Sequence, residues 1–345
     1  MRTFAITIMI LLAATTAEAQ RTGVAKYAGE FMATGIGGRA LAMGGAYTAV
    51  SNDVTAAYWN PAGLMNLQYP EIGLMHEQRY GGMLSFNYGG VAWPFGPRYT
   101  LALSVTRLGI DDIPDTRNAL IDLNGNGQLD PNERLNYDKI TYFNSADWAA
   151  YLTYAFRMNP RFALGINLKL IMRELAEASA YGVGFDVGAS YAVTPKFFLG
   201  ANLQNATTTL IAWSTGTNDL VSPTMKIGAA YQIDALGGTI TPAVDFDVMG
   251  ENRQTASLLS VGPFSVNPRA GLEWQFRKLF ALRAGFSDVQ EFTFGAGVHL
   301  PKLYLDYAFS QSPINESGAG LLKDGTHRIS LRLSLEEKRF FRPGN

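Results

Sequence analysis

From residue 71 onward the chain is written in segments of roughly ten residues in which apolar side chains alternate with small or polar ones, the repeat expected of membrane-spanning barrel strands. In residues 161–173, Phe162, Leu164, Ile166, Leu168, Leu170 and Met172 form one set, and Ala163, Gly165, Asn167, Lys169 and Ile171 the other. In residues 182–193, Val183, Phe185, Val187, Ala189, Tyr191 and Val193 alternate with Gly182, Gly184, Asp186, Gly188 and Ser190. Successive strand side chains point to opposite faces, so each segment has a greasy face and a small or polar one. A secreted sandwich would press its greasy faces together, whereas a membrane barrel would turn them toward lipid.

Three features favour lipid. The segments exceed the usual length of a soluble strand. Several are joined by tight turns, such as Met158-Asn159-Pro160 and Leu300-Pro301-Lys302. Aromatics recur near segment ends, as at Tyr154 with Phe156, Phe197 with Phe198, and Phe280, where interfacial girdles form. The fold class predicted is therefore all-β: a transmembrane antiparallel β-barrel over residues 71–345. Its strands fall at 71–79, 82–93, 98–108, 146–158, 161–173, 178–193, 195–205, 224–233, 239–248, 267–277, 279–287, 291–299, 301–309 and 326–335. That is about fourteen, an even number. Long connections at 109–145, 206–223, 249–266 and 310–325 alternate with tight turns, as external loops do with periplasmic ones.

The start of the chain agrees with export. Arg2, the apolar run Phe4–Ala14 and the small-x-small site Ala17-Glu18-Ala19 predict a signal peptide over residues 1–19 and delivery to a bacterial outer membrane. With 28 basic and 29 acidic residues there is no electrostatic footprint for nucleic acid. The absence of cysteine excludes disulfides and thiolate chemistry. His76, His299 and His327 lie on separate predicted strands with no zinc spacing, and no catalytic constellation is expected, so the chain does not read as an enzyme. Lys169, Asp186, Asp245, Asp247, Glu273, Arg283, Asp306, Arg328 and Arg332 fall on the small-residue face and predict a salt-bridged, hydrated interior.

Residues 21–67 carry no strand alternation and are rich in Gly and Ala. They contain Gly35-Ile36-Gly37-Gly38-Arg39-Ala40-Leu41-Ala42-Met43-Gly44-Gly45-Ala46, then Asn52-Asp53, then Trp59-Asn60-Pro61-Ala62-Gly63-Leu64. This order resembles the PorV/PorQ branch of the FadL-like outer-membrane superfamily, specifically over residues 35–64. The resemblance implies that residues 20–70 fold as a plug inside a monomeric barrel, with Gly37, Arg39, Gly44, Gly45, Asn60, Pro61, Ala62 and Gly63 in its motifs. It also implies one of two roles: passing or binding hydrophobic small molecules, or receiving exported proteins in type IX secretion. A structural or adhesive surface barrel is the third alternative.

A second motif lies in the 109–145 connection. Asp122, Asn124, Asn126, Gly127, Gln128, Asp130 and Glu133 match the twelve-residue EF-hand loop, with side-chain oxygens at positions 1, 3, 5 and 9. Gln128 would offer its carbonyl at position 7, and Glu133 a bidentate carboxylate at position 12. One structural calcium ion, stiffening the loop, is expected. After the last predicted strand, Glu336-Glu337-Lys338-Arg339 precede Phe340-Phe341, which displaces the terminal aromatics from the strand end.

Overall fold

The computed structural model describes residues 29–250, 257–287, 291–311 and 325–342. The export signal expected at 1–19 lies outside these residues. Fourteen antiparallel strands close into one barrel. They are β1 (Glu71–Arg79), β2 (Leu84–Phe95), β3 (Tyr99–Asp115), β4 (Thr141–Asn159), β5 (Phe162–Leu175), β6 (Ala178–Thr194) and β7 (Phe197–Gln204), followed by β8 (Thr224–Tyr231), β9 (Gly238–Met249), β10 (Phe264–Phe276), β11 (Phe280–Phe286), β12 (Phe292–Leu300), β13 (Leu303–Gln311) and β14 (Thr326–Ser334). Each pairs with the next, and β1 closes on β14 from Glu71↔Ser334 to Gln78↔His327.

The greasy faces point outward. Leu74, Leu103, Leu152, Leu170, Leu282 and Phe294 are each about half exposed, while the alternate positions of the same strands are buried inside. A ring of large apolar side chains left half exposed is favourable only where hydrocarbon replaces water. Strands make the crossing, since no helix among the described residues is long and apolar enough to span a membrane. Aromatics line the short-turn end, where Phe95, Tyr99, Tyr154 and Phe156 stand in successive ring contacts of 5.6, 6.1 and 5.6 Å. Phe197 and Phe280, expected in this girdle, lie at the same end.

The strand ends that the longer connections at 116–140, 205–223, 250–263 and 312–325 join all lie at the other end, which is therefore the external one. Three of the four, expected as plain connections, contain paired strand, the 249–266 stretch through Leu259–Val261 against the start of β10. β3 and β4 run past their predicted ends and pair as far as Asp115↔Thr141, beyond a bulge between Ile110 and Ile113. There both strand faces meet water, so the alternation that marks a half-buried strand is missing. Thr209–Trp213 and Asn218–Val221 form a hairpin that pairs with the upper half of β6, above the end of β7. With four and five residues they are too short to show a period.

Beyond β14 the chain folds under the short-turn end. Phe340 packs edge-on to Trp93 at 5.1 Å, Phe341 tilts against Tyr69 at 5.4 Å, and Arg342 donates to the Tyr99 carbonyl (2.8 Å) and the Thr100 hydroxyl (2.6 Å). The displaced aromatics thus close the base of the barrel.

Candidate functional site

The lumen holds a plug. Short helices α1 (Glu30–Ala33), α2 (Gly38–Ala42) and α3 (Ala56–Trp59), then a 3-10 turn Pro61–Asn66, descend from the external side to the start of β1. Its apolar residues and inward wall residues form two buried clusters among the described residues, one around Ile36, Met43, Tyr47 and Trp59, the other around Val54, Leu64 and Met65.

The sequence dictates how this segment is held. So short a helix cannot satisfy its own backbone, so orphan N–H and C=O groups need partners from the wall. Asp245 accepts from the Tyr47 and Thr48 N–H groups at 3.0 and 2.8 Å. Asn167 donates to the Ala57 carbonyl (2.6 Å), Asn202 to that of Trp59 (2.9 Å) and Thr293 to that of Ala42 (3.1 Å). Within the plug, Trp59 donates to the Ile36 carbonyl at 2.8 Å, and the Tyr58 hydroxyl bridges Gly35 N–H and the Met32 carbonyl.

All eight motif residues expected in the plug lie in the lumen. Arg39 grips Glu273 of β10 through two bonds of 2.8 Å and donates to Tyr47 and Asn52. Fully buried Asn60 donates to the Thr48 carbonyl (3.0 Å) and to that of Ala189 in β6 (2.9 Å), and accepts from Ala62 N–H (3.2 Å). Pro61 begins the 3-10 turn, where its missing N–H leaves nothing unpaired. Gly63 packs on Ser51, and Gly44 and Gly45 are wedged against Phe286 and Arg269. Gly37 turns the chain into α2 with φ of 86°, a conformation that disfavours any side chain.

Eight of the nine predicted lumenal charges form ion pairs, Lys169 with Asp186, Lys226 and Arg269 with Asp247, Arg283 with Glu273 and Asp306, Arg332 with Glu71 and Asp53, and Arg328 with Glu77, while Asp245 instead accepts from plug N–H groups. Their setting differs from the hydrated interior anticipated. They are almost fully buried, because the plug fills the space that water would occupy.

Above the plug lies a cavity of about 350 Å³. Phe31, Leu41, Trp59, Leu84 and Leu108 give it apolar walls, and Arg79, Arg269, Arg328, Ser287 and Glu291 its polar margin.

Structures of the same architecture are known. The Ralstonia pickettii toluene transporter TbuX superposes with a TM-score of 0.57 at 13% identity, covering 87% of this chain and 98% of that one. The monoaromatic hydrocarbon channel CymD gives 0.55 at 14%, covering 88% and 98%, and a Pseudomonas aeruginosa FadL homologue 0.51 at 13%, covering 85% and 96%. The chain has the FadL-type fold. No known protein-family signature matches it, and no curated protein does.

On this FadL-type barrel the three histidines stay apart. His76 and His327 face outward, bonded to Asn87 and Tyr307, while His299 faces the lumen beside Gln275.

The 122–133 loop stands on the external side, clamped by the pairs Leu120↔Leu135 and Ile121↔Arg134 rather than by helices. Asp122 accepts from the N–H groups of Asn124, Gly125 and Gly127, and these bonds, Gly127's foremost, hold its carboxyl below the usual range. Glu133 accepts from Leu123 and Asp130 N–H. The Asn124 and Asn126 amide nitrogens both turn to Asp130, at 2.6 and 2.9 Å. Among the described residues no three His, Cys, Asp or Glu side chains converge on a metal-sized point. The expected donors share one loop, but the two amides would have to rotate to present oxygen.

Proposed function

We propose that this chain is an outer-membrane channel that binds hydrophobic small molecules in the cavity above the plug and passes them inward. The observation that carries the reading is that cavity: apolar-walled, sized for a small molecule, and placed beneath the external loops of a FadL-type barrel. The known structures of this shape include a toluene transporter and a monoaromatic hydrocarbon channel, which supports the same substrate class here. Export through the signal at 1–19 is part of the proposal.

Expressed in a host outer membrane, the protein should speed entry of the uncharged dye N-phenyl-1-naphthylamine. Leu41→Asp, which sets a charge in the apolar wall, should slow that entry about tenfold. Equal rates for the two proteins would remove the cavity from the route.

The PorV/PorQ-like motif at 35–64 supports a second reading, a receiver of proteins exported by type IX secretion. The protruding β3–β4 ribbon supports it too, since it offers exposed surface well clear of the barrel. Deleting the gene and following both dye entry and release of type IX cargo separates the two.

We further propose that the 122–133 loop binds one calcium ion, through Asp122, Asn124, Asn126, Gln128, Asp130 and Glu133. The twelve-position match supports this, as do Gly125 and Gly127 at φ of 74° and 71°, which coil the loop as such a site requires. Among the described residues none of the three carboxylates has a salt-bridge partner, and a cation would offset their charge. Calorimetry should find a dissociation constant of roughly 0.1–1 mM, the range of extracellular sites. Chelation should raise amide exchange across the loop while leaving the barrel unchanged. Heat of binding that survives in Glu133→Gln would place the ion elsewhere.

A further inference from the structure

The plug does not meet the wall in the same way all round. On β5, β7, β10 and β11 the contact is backbone against backbone. A Cβ on Gly165 would strike Pro61 and Ala62, one on Gly200 would strike Thr48, and ones on Gly271 and Gly285 would strike Met43 and Gly44. Nothing can slip between two backbones without tearing the plug from its anchors.

At the seam where β1 closes on β14, side chains make the contact instead. Met75 Sδ accepts from Gly37 N–H at 3.0 Å, and Ser330 Oγ accepts from Gly38 N–H at 2.7 Å. Behind this pair is a second void of about 20 Å³, room for a single water. One rung above it on the same face, Glu77 and Arg328 pair across the strands, both fully buried, and Arg328 reaches the Gly37 carbonyl at 3.4 Å. Arg328 also lines the large external cavity. The two voids therefore lie on neighbouring rungs of one seam, with the Glu77–Arg328 pair between them.

We propose that the route past the plug runs down the β1–β14 seam and that Glu77–Arg328 is its gate. The proposal rests on the channel reading for its ligand but not for its position. Opening the seam needs side-chain rotation, release of the bonds to Gly37 and Gly38 and, one rung below, parting of Arg332 from Asp53 and Glu71, whereas the glycine-lined sectors would need the plug's backbone to leave. An ion pair is a suitable bolt. Closed, Arg328 is held by Glu77, which also holds Arg79; a passing apolar molecule must part Arg328 from that carboxylate, so the gate resists leakage.

Ion conductance of the purified full chain in planar bilayers tests the route without any ligand. Met75→Ala, which widens the inner void, should raise conductance about tenfold. Met43→Ala removes the same side chain where the plug meets β10 and β11, and should leave conductance unchanged. Glu77→Ala with Arg328→Ala should leak more than Met75→Ala, and adding Ser330→Phe should stop that leak. Equal effects of Met75→Ala and Met43→Ala would overturn the proposal, as would a leak indifferent to Ser330→Phe. If the wild type fails to admit the dye while Met75→Ala alone conducts, the seam stands and the hydrophobic substrate class falls.

Discussion

Arg283→Ala is expected to destabilise the plugged barrel by about 3–5 kcal/mol, the penalty for leaving a buried charge without its partner. The Arg283 side chain is fully enclosed, and its guanidinium holds Glu273 and Asp306 at 2.7 Å each. Glu273 is also the residue gripped by Arg39 of the plug, so one arginine joins three strands and the plug in a single network. Without it Asp306 is left with His299, at 3.9 Å, and the more distant charge of Arg332. The urea midpoint for loss of the heat-modifiable gel band would fall accordingly. Arg283→Met with Asp306→Asn, which removes charge from both sides and keeps the volume, should recover more than half of that loss. If the double variant is as unstable as Arg283→Ala, packing rather than charge holds this part of the lumen.

Gly285→Val should have the second large effect, of a different kind. Gly285 and its cross-strand partner Gly271 cradle Met43 and Gly44, with plug backbone where a side chain would stand. Strand backbone cannot recede, because both neighbours hold it by ladder hydrogen bonds, so the plug must move. Overpacking of this sort typically costs about 1–3 kcal/mol. Most of it should fall on the plug, leaving the barrel folded but with protease cutting in residues 29–67. Gly89→Val on β2 is the comparison: only Leu74 Cδ2 lies near, at 3.8 Å, and protease resistance should not change. Equal protease sensitivity of the two variants would show that the glycines serve the strands and not the plug.

These effects could not be ranked from the sequence, although many of the participants were visible there. The fourteen strands were legible because β1–β14 each have one face in hydrocarbon and one in a crowded lumen, and that difference of medium imposes a period of two. Where the medium is the same on both sides, as in residues 110–115 and 141–145, the period and the legibility end together. Arg39 and Asn60 stood out through the motif they sit in. Asn167, Asn202 and Thr293 did not, although each bonds a plug carbonyl. Their one signal is a polar side chain on the small-residue face, which a water-filled lumen would equally explain. Glu77 was missed for the same reason: nothing near it in the chain says that Arg328, paired with it across the barrel's closure, will share its burial.

The sequence alone determined the alternation, the two-sidedness of every strand and the presence of an irregular segment rich in small residues, since these follow from which side chains each neighbour along the chain allows. The tertiary structure alone decided which lumenal charge meets which, where plug backbone presses on glycine, and where side chains leave a seam. Those depend on the register of strands hundreds of residues apart, and registry is set by closing the barrel around its plug, an event to which no local stretch of chain refers.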